Sequence, residues 1–300
     1  MVSAAAKVSQ LQCVTRIPMR NLSRTDTEHL FVFDMCALSA EEVLLACSAA
    51  GLRAVSLHNT QLVAHEPSAI RYVYGVAFEA LTDTLLLLVG APTDDYYQLV
   101  SLRRNESEWL EVQRLDTRIR AESYYIFKFA VCDSRVLLGG RYTLNVFDVS
   151  AEHTLLDAGN VTWQSRFRKF ECTGLDCDTI VAVVCTRRDS NTLVAFSDDT
   201  SVFLQRLASL PLRLEPLASV NLTAPRLLLF RGDLLIIADW NRANRTDTIV
   251  SFRVSGNALT ERRVLLDAQA GVYVGAWALA SDRLVLMNWE LLELLVYAFK

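Results

Sequence analysis

Short stretches in which apolar and polar residues alternate recur along this chain at nearly fixed distances. They are Arg53–Leu57, Gln98–Leu102, Leu144–Val149, Val202–Leu207, Thr248–Phe252 and Leu294–Phe299. Alternation puts every second side chain on one face, so each stretch predicts a β-strand. Their central residues, Val55, Val100, Val146, Leu204, Val250 and Val296, lie 45, 46, 58, 46 and 46 residues apart. One unit of about 46 residues is repeated, and one copy carries roughly twelve more; a period of this length with several short strands per unit predicts the blades of a propeller.

Each of these strands is preceded by a continuous apolar run: Val43–Ala46, Leu85–Val89, Val136–Leu138, Leu193–Ala195, Leu234–Ile237 and Leu284–Leu286. Runs this short and this apolar suit strands buried on both faces. Several follow an Asp-containing turn (Asp83-Thr84, Asp133-Ser134, Asp233, Asp282-Arg283), where the short carboxylate is expected to accept nearby backbone N–H groups. A third run lies ahead of each turn, at 29–36, 71–78, 124–131, 180–185, 226–230 and 272–279, and is expected to form the innermost strand beside the channel. Weaker, more polar stretches such as Gln61–His65, Trp109–Gln113 and Thr260–Leu265 read as water-exposed outer edges.

The chain is thus predicted to be all-β, a single six-bladed β-propeller of four-stranded blades. The blades span about 27–66, 69–116, 120–160, 177–221, 225–267 and 271–300, with an insertion at about 157–176. The last unit ends after its third strand, and a lone strand at about 8–17 is expected to complete it, tying the termini together. The layout resembles the WD-repeat and kelch-repeat superfamilies. The Val146-Phe-Asp-Val149 stretch echoes the Trp-Asp signature, and Val136-Leu-Leu-Gly-Gly-Arg-Tyr142 looks like a kelch unit with its double glycine. Neither signature recurs in other blades, so the resemblance is to a divergent propeller.

Composition narrows the reading. With 52% hydrophobic residues the chain has ample material for a core, and a net charge of −4 advertises neither a nucleic-acid binder nor a basic membrane anchor. Residues 1–12 hold no apolar leader core, and no run approaches the roughly 20 apolar residues of a membrane span. The seven cysteines are scattered and mostly sit inside apolar runs, where thiols pack as small hydrophobes. A soluble protein of a reducing compartment, cytoplasmic or nuclear, is expected. Asn21, Asn105, Asn160, Asn221 and Asn244 each begin an Asn-x-Ser/Thr triplet; with no leader in residues 1–12 polar turns are the preferred account, a domain of a secreted or membrane-linked protein being the alternative that the surplus of triplets allows.

Catalytic signatures are missing: the chain has no nucleophile elbow, phosphate-binding glycine loop or His-Glu-x-x-His. His29, His58, His65 and His153 fall at unlike blade positions, Cys172 and Cys177 have no second pair, and Lys128 stands alone in its inner run. No cofactor or metal is expected. The loops joining second to third strands, and one blade to the next, emerge on one rim. They carry Arg71, Tyr72, Tyr96, Arg118, Arg120, Arg141, Tyr142, Trp163, Arg166, Arg168, Arg226, Trp240, Arg242, Arg245 and Trp289. Arginine forks pair with carboxylates or phosphates, and flat aromatic rings anchor partners. The expected function is a non-catalytic scaffold binding a protein or an acidic or phosphorylated peptide on this rim, as a monomer or within a hetero-complex. The alternative is a propeller enzyme or small-ligand binder of the lactonase or phosphotriesterase type, working at the channel mouth.

Overall fold

The computed structural model describes residues 11–19, 31–62, 70–90, 96–106, 108–120, 129–139, 143–162, 182–188, 191–198, 200–209, 212–241, 243, 245–267 and 272–299. The strand β1 (Leu11–Pro18) opens the chain. The first blade is β2 (Asp34–Ala37), β3 (Glu42–Ala46), β4 (Leu52–Ser56) and β5 (Gln61–Leu62). The second is β6 (Val73–Glu79), β7 (Thr84–Val89), β8 (Tyr96–Asn105) and β9 (Glu108–Arg120); the third is β10 (Phe129–Cys132), β11 (Arg135–Gly139), β12 (Thr143–Val149) and β13 (Leu155–Thr162). The fourth is β14 (Ala182–Arg188), β15 (Asn191–Ser197), β16 (Ser201–Ser209) and β17 (Leu212–Asn221), and the fifth β18 (Pro225–Arg231), β19 (Leu234–Asn241), β20 (Thr246–Ser255) and β21 (Ala258–Leu266). In the sixth, β22 (Val274–Ala280), β23 (Arg283–Asn288) and β24 (Glu293–Phe299) are completed by β1, which pairs antiparallel with β24 from Leu11↔Phe299 to Pro18↔Glu293.

All six sheets are antiparallel, five of them meanders and the sixth a meander of three strands edged by β1, and their innermost strands β2, β6, β10, β14, β18 and β22 touch their neighbours in a closed circle. The core is divided into six wedges, one in each joint between blades. Alternate side chains of each second strand serve opposite wedges. Leu85, Leu87 and Val89 of β7 pack toward the first blade, while Leu86 and Leu88 pack toward the third. In β19, Ile236 and Ala238 face the sixth blade, and Leu235 and Ile237 the fourth. That two-sided burial is why these strands read as unbroken apolar runs.

Each joint also carries a polar stitch. Val76 N donates to Asp34 between the first two blades, and Glu79 accepts Ser134 N between the second and third. Arg187 pairs with Asp133, Arg188 reaches Val254 O, Arg226 reaches Val274 O, and Arg283 reaches Ala40 O and Glu41 across the remaining joints.

Three expectations are corrected. Cys132 and Cys185 are joined in a disulfide, with Cα atoms 5.9 Å apart, that fastens β10 to β14; two thiols expected as small hydrophobes therefore form a cross-blade link. Residues 157–162, counted to the insertion, belong to β13, the outer strand of the third blade. In the turns, Asp133 and Asp233 pair with the guanidinium groups of Arg187 and Arg253. What those turns require is backbone: Asp133 and Ser134 both adopt positive φ (55° and 57°), as does Gly232 (59°), the geometry that lets two residues close a twisted hairpin.

Candidate functional site

The rim residues form where inner strands begin and second strands end. In the second, fifth and sixth blades the register slips by one residue at that end of the inner strand, between Val73 and Gly75, Pro225 and Leu227, and Val274 and Ala276. The extra residue is Tyr74, Arg226 or Gly275. A bulge re-aims its side chain out of the ladder. The backbone beyond the second strand repeats as well: Gly90 N, Trp240 N and Trp289 N donate to Tyr72 O, Ala224 O and Tyr273 O respectively.

These equivalent positions are filled in complementary ways. In the second blade Tyr74 stands edge-on to Tyr97 at 5.5 Å, and the facing residue is Gly90, whose missing Cβ would lie 2.7 Å from the Tyr97 ring. In the fifth blade the position of Tyr97 is taken by Asp247, that of Gly90 by Trp240 and that of Tyr74 by Arg226. In the sixth, Gly275 leaves room for the Trp289 indole, whose Nε1 would sit 2.0 Å from an added Cβ.

Arg226 is the centre of the fifth-blade arrangement. Its guanidinium lies 4.4 Å from the Tyr273 ring centroid and 5.3 Å from that of Trp240, donates to Asp247 Oδ2 at 2.6 Å and to Val274 O at 3.1 Å, and is 22% exposed. Asp247 is fully buried and also accepts Val274 N at 2.7 Å. Burial pushes its carboxyl above the usual carboxylate range; the Arg226 charge and the Val274 N–H pull the other way, and nearby Asp239 adds to the rise. Five buried polar atoms around this joint have no hydrogen-bond partner among the described residues: Arg226 Nε, Trp240 Nε1, Thr246 Oγ1, Asp247 Oδ1 and Asn288 Nδ2. Buried polar groups are ordinarily satisfied, so this concentration marks the place chemically.

From there aromatic rings continue along the mouth. Trp240 meets Tyr273 at 6.3 Å, Tyr273 meets Trp289 at 6.0 Å, and Trp289 Nε1 donates to Val32 O beside Phe33. Phe33 meets Tyr74 at 5.2 Å, and Tyr74 meets Tyr97. An aromatic arc thus spans the fifth, sixth, first and second blades. Arg71 is exposed at its far end beside Tyr72, which takes φ 59°, and Tyr96 (38% exposed) pairs in register with Arg120, one turn of pleat beyond Arg118.

Of the expected rim residues, Arg226, Trp240 and Trp289 are linked through Tyr273, Arg71, Tyr72 and Tyr96 lie in the second blade, and Arg118 and Arg120 belong to its outer strand β9, their side chains lying outside the described residues. Arg245 is exposed in the β19–β20 connection with φ 55°. Arg141, Tyr142, Trp163, Arg166, Arg168 and Arg242 lie outside the described residues, as do Lys128, His29, His65, Cys172 and Cys177. Arg226 corrects the picture of a free clamp, because its own chain supplies its carboxylate. Tyr273, Phe33, Tyr74, Tyr97 and Asp247 were missed; the aromatics Phe33, Tyr74 and Tyr273 within the first, second and sixth inner runs and an acid three residues before Val250 were the visible signals. Among the described residues no three His, Cys, Asp or Glu side chains converge to hold a metal ion.

No protein-family model and no curated protein matches the chain. Among solved structures, the β-propeller domain of Cps50 (Swd1) from Myceliophteria thermophila aligns with a TM-score of 0.55 at 13% identity, over 90% of this chain and 84% of that one. The likeness is one of fold: the chain is a six-bladed β-propeller.

Proposed function

We propose that the protein is a non-catalytic interaction module that holds an acidic or phosphorylated peptide of a partner protein against the aromatic arc. The observation that carries this reading is the coincidence, at one mouth of the ring, of edge-on and tilted aromatic rings with Arg226 at one end and exposed Arg71 at the other. Among the unsatisfied atoms, donors (Arg226 Nε, Trp240 Nε1, Asn288 Nδ2) outnumber the single carboxylate acceptor, which favours an acceptor-rich ligand group. Half-buried rings provide contact area with little side-chain entropy to lose.

Fluorescent Glu-rich and phosphoserine peptides titrated into the protein test the reading at two salt concentrations. Binding that weakens with salt and falls at least about tenfold in Trp240→Ala and Arg71→Glu would support it, tenfold being about 1.4 kcal/mol. Equal affinity for wild type and both variants, or no binding to either peptide, would overturn it. Arg71 is exposed, so its charge reversal separates binding from folding.

A further inference from the structure

The Asn-x-Ser/Thr triplets fit no role on the rim, and the structure gives them a pattern of their own. Five of the chain's eleven asparagines begin such a triplet, where its Ser and Thr content leads one to expect about one or two. Asn105, Asn160 and Asn221 are the three within the described residues, and all three are exposed. The remaining described asparagines are mixed: Asn145, Asn191 and Asn241 are half-buried, Asn288 is fully buried, and Asn59 and Asn257 are exposed.

Position separates them further. Asn105 closes the hairpin between β8 and β9, while Asn160 lies in β13 and Asn221 ends β17, the outer strands of the third and fourth blades. A bulky hydrophilic group there meets solvent at the circumference and touches no wedge of the core. The second observation is independent of the triplets: the Cys132–Cys185 disulfide joins neighbouring blades. Protein disulfides persist in oxidising compartments, the same compartments in which Asn-x-Ser/Thr is modified.

We propose that Asn105, Asn160 and Asn221 carry N-linked glycans and that this chain folds in the secretory pathway. In the modification the side-chain amide nitrogen forms a bond to the anomeric carbon of an oligosaccharide carried on a lipid pyrophosphate. The anomeric C–O bond breaks, the lipid pyrophosphate leaves with its electron pair, and the amide proton passes to a base of the transferase. No electrons are transferred in that step. The disulfide is made separately, by exchange with a disulfide oxidant that takes up the two electrons and two protons of the thiols.

The test uses protein isolated from the cells that make it, alkylated before any reduction, treated with peptide-N-glycosidase in heavy-oxygen water and mapped by peptide mass. The expected result is Asn converted to labelled Asp at positions 105, 160 and 221, with Cys132 and Cys185 unalkylated. Each site is read by itself, so an unconverted asparagine overturns the assignment at that position. Unmodified asparagine at all three, or alkylated Cys132 and Cys185, overturns the secretory reading whatever the rim binds. In expression by the same cells, N105Q, N160Q and N221Q should each remove one step of gel mobility and leave the melting temperature within a few degrees of wild type; an unchanged ladder counts against the site.

Discussion

Asp247 sets a buried carboxylate against one guanidinium and one backbone N–H, and loss of water is the largest influence on its titration. Because the folded state holds this proton more tightly than the unfolded chain, folding is favoured at this site when the group is protonated. That contribution is lost as pH rises from the ordinary carboxylate pKa of about 3.9 through the raised folded value. The stability of wild type minus that of Asp247→Asn should therefore fall as pH is raised through and above the ordinary carboxylate pKa of about 3.9 in urea titrations. A rise of that quantity with pH would mean that Arg226 outweighs burial. Gly275 makes the neighbouring prediction by volume alone. A methyl group there would meet Trp289 Nε1 at 2.0 Å and displace the indole from Val32 O. Gly275→Ala should cost about 1–3 kcal/mol by denaturant midpoint and red-shift indole emission. Unchanged emission would show that the backbone, and not Trp289, gives way.

At the scale of the strand, the sequence announced second and third strands best, because their burial is dictated by the ring. The Leu85–Val89 run is apolar throughout since both its faces enter a wedge, and the spacing of Val55, Val100, Val146, Leu204, Val250 and Val296 follows from one hairpin meander per blade. The one-residue bulges at Tyr74, Arg226 and Gly275 left no trace in an alternation pattern, since a slip changes which way a side chain points without changing composition. The site was therefore half legible: Trp240 and Trp289 stood out as rim aromatics, whereas Asp247 lies inside a strand and Tyr273 inside an inner run. Closure by β1 was legible from arithmetic, as a sixth unit lacking its fourth strand. Its consequence can be measured. Removing residues 1–18 would bare the edge of β24 and part of the wedge that buries Ile17. The truncated chain should associate with concentration in size-exclusion chromatography, and a peptide of residues 11–18 should restore the elution of the full chain. A monomeric truncated chain with an unchanged midpoint would show that β1 adds nothing to closure.

Across the molecule, the blades divide into two sectors. The aromatic arc runs over the fifth, sixth, first and second blades, whereas the disulfide and the outer strands bearing Asn160 and Asn221 belong to the third and fourth. The aromatic arc and the covalent fastening are thus placed on different parts of one ring. A ring of six wedges has no central core to hold it if one joint opens, so each joint matters to the whole. The joint between the third and fourth blades has a covalent link enclosing 53 residues of chain. Chain-entropy scaling for a loop of that size gives about 4 kcal/mol, and measured links usually deliver about 2–4. Reduction should lower the unfolding free energy by that amount, and hydrogen exchange should quicken first in β10 and β14. The double variant Cys132→Ser, Cys185→Ser should start from the lowered stability and ignore the reductant. If reduction instead leaves the midpoint unmoved, the Arg187–Asp133 and Arg135–Ser209 contacts and the wedge around Phe196 and Phe203 suffice to hold that joint closed. If exchange quickens equally in all six inner strands, the ring opens as one cooperative unit and no joint has a stability of its own.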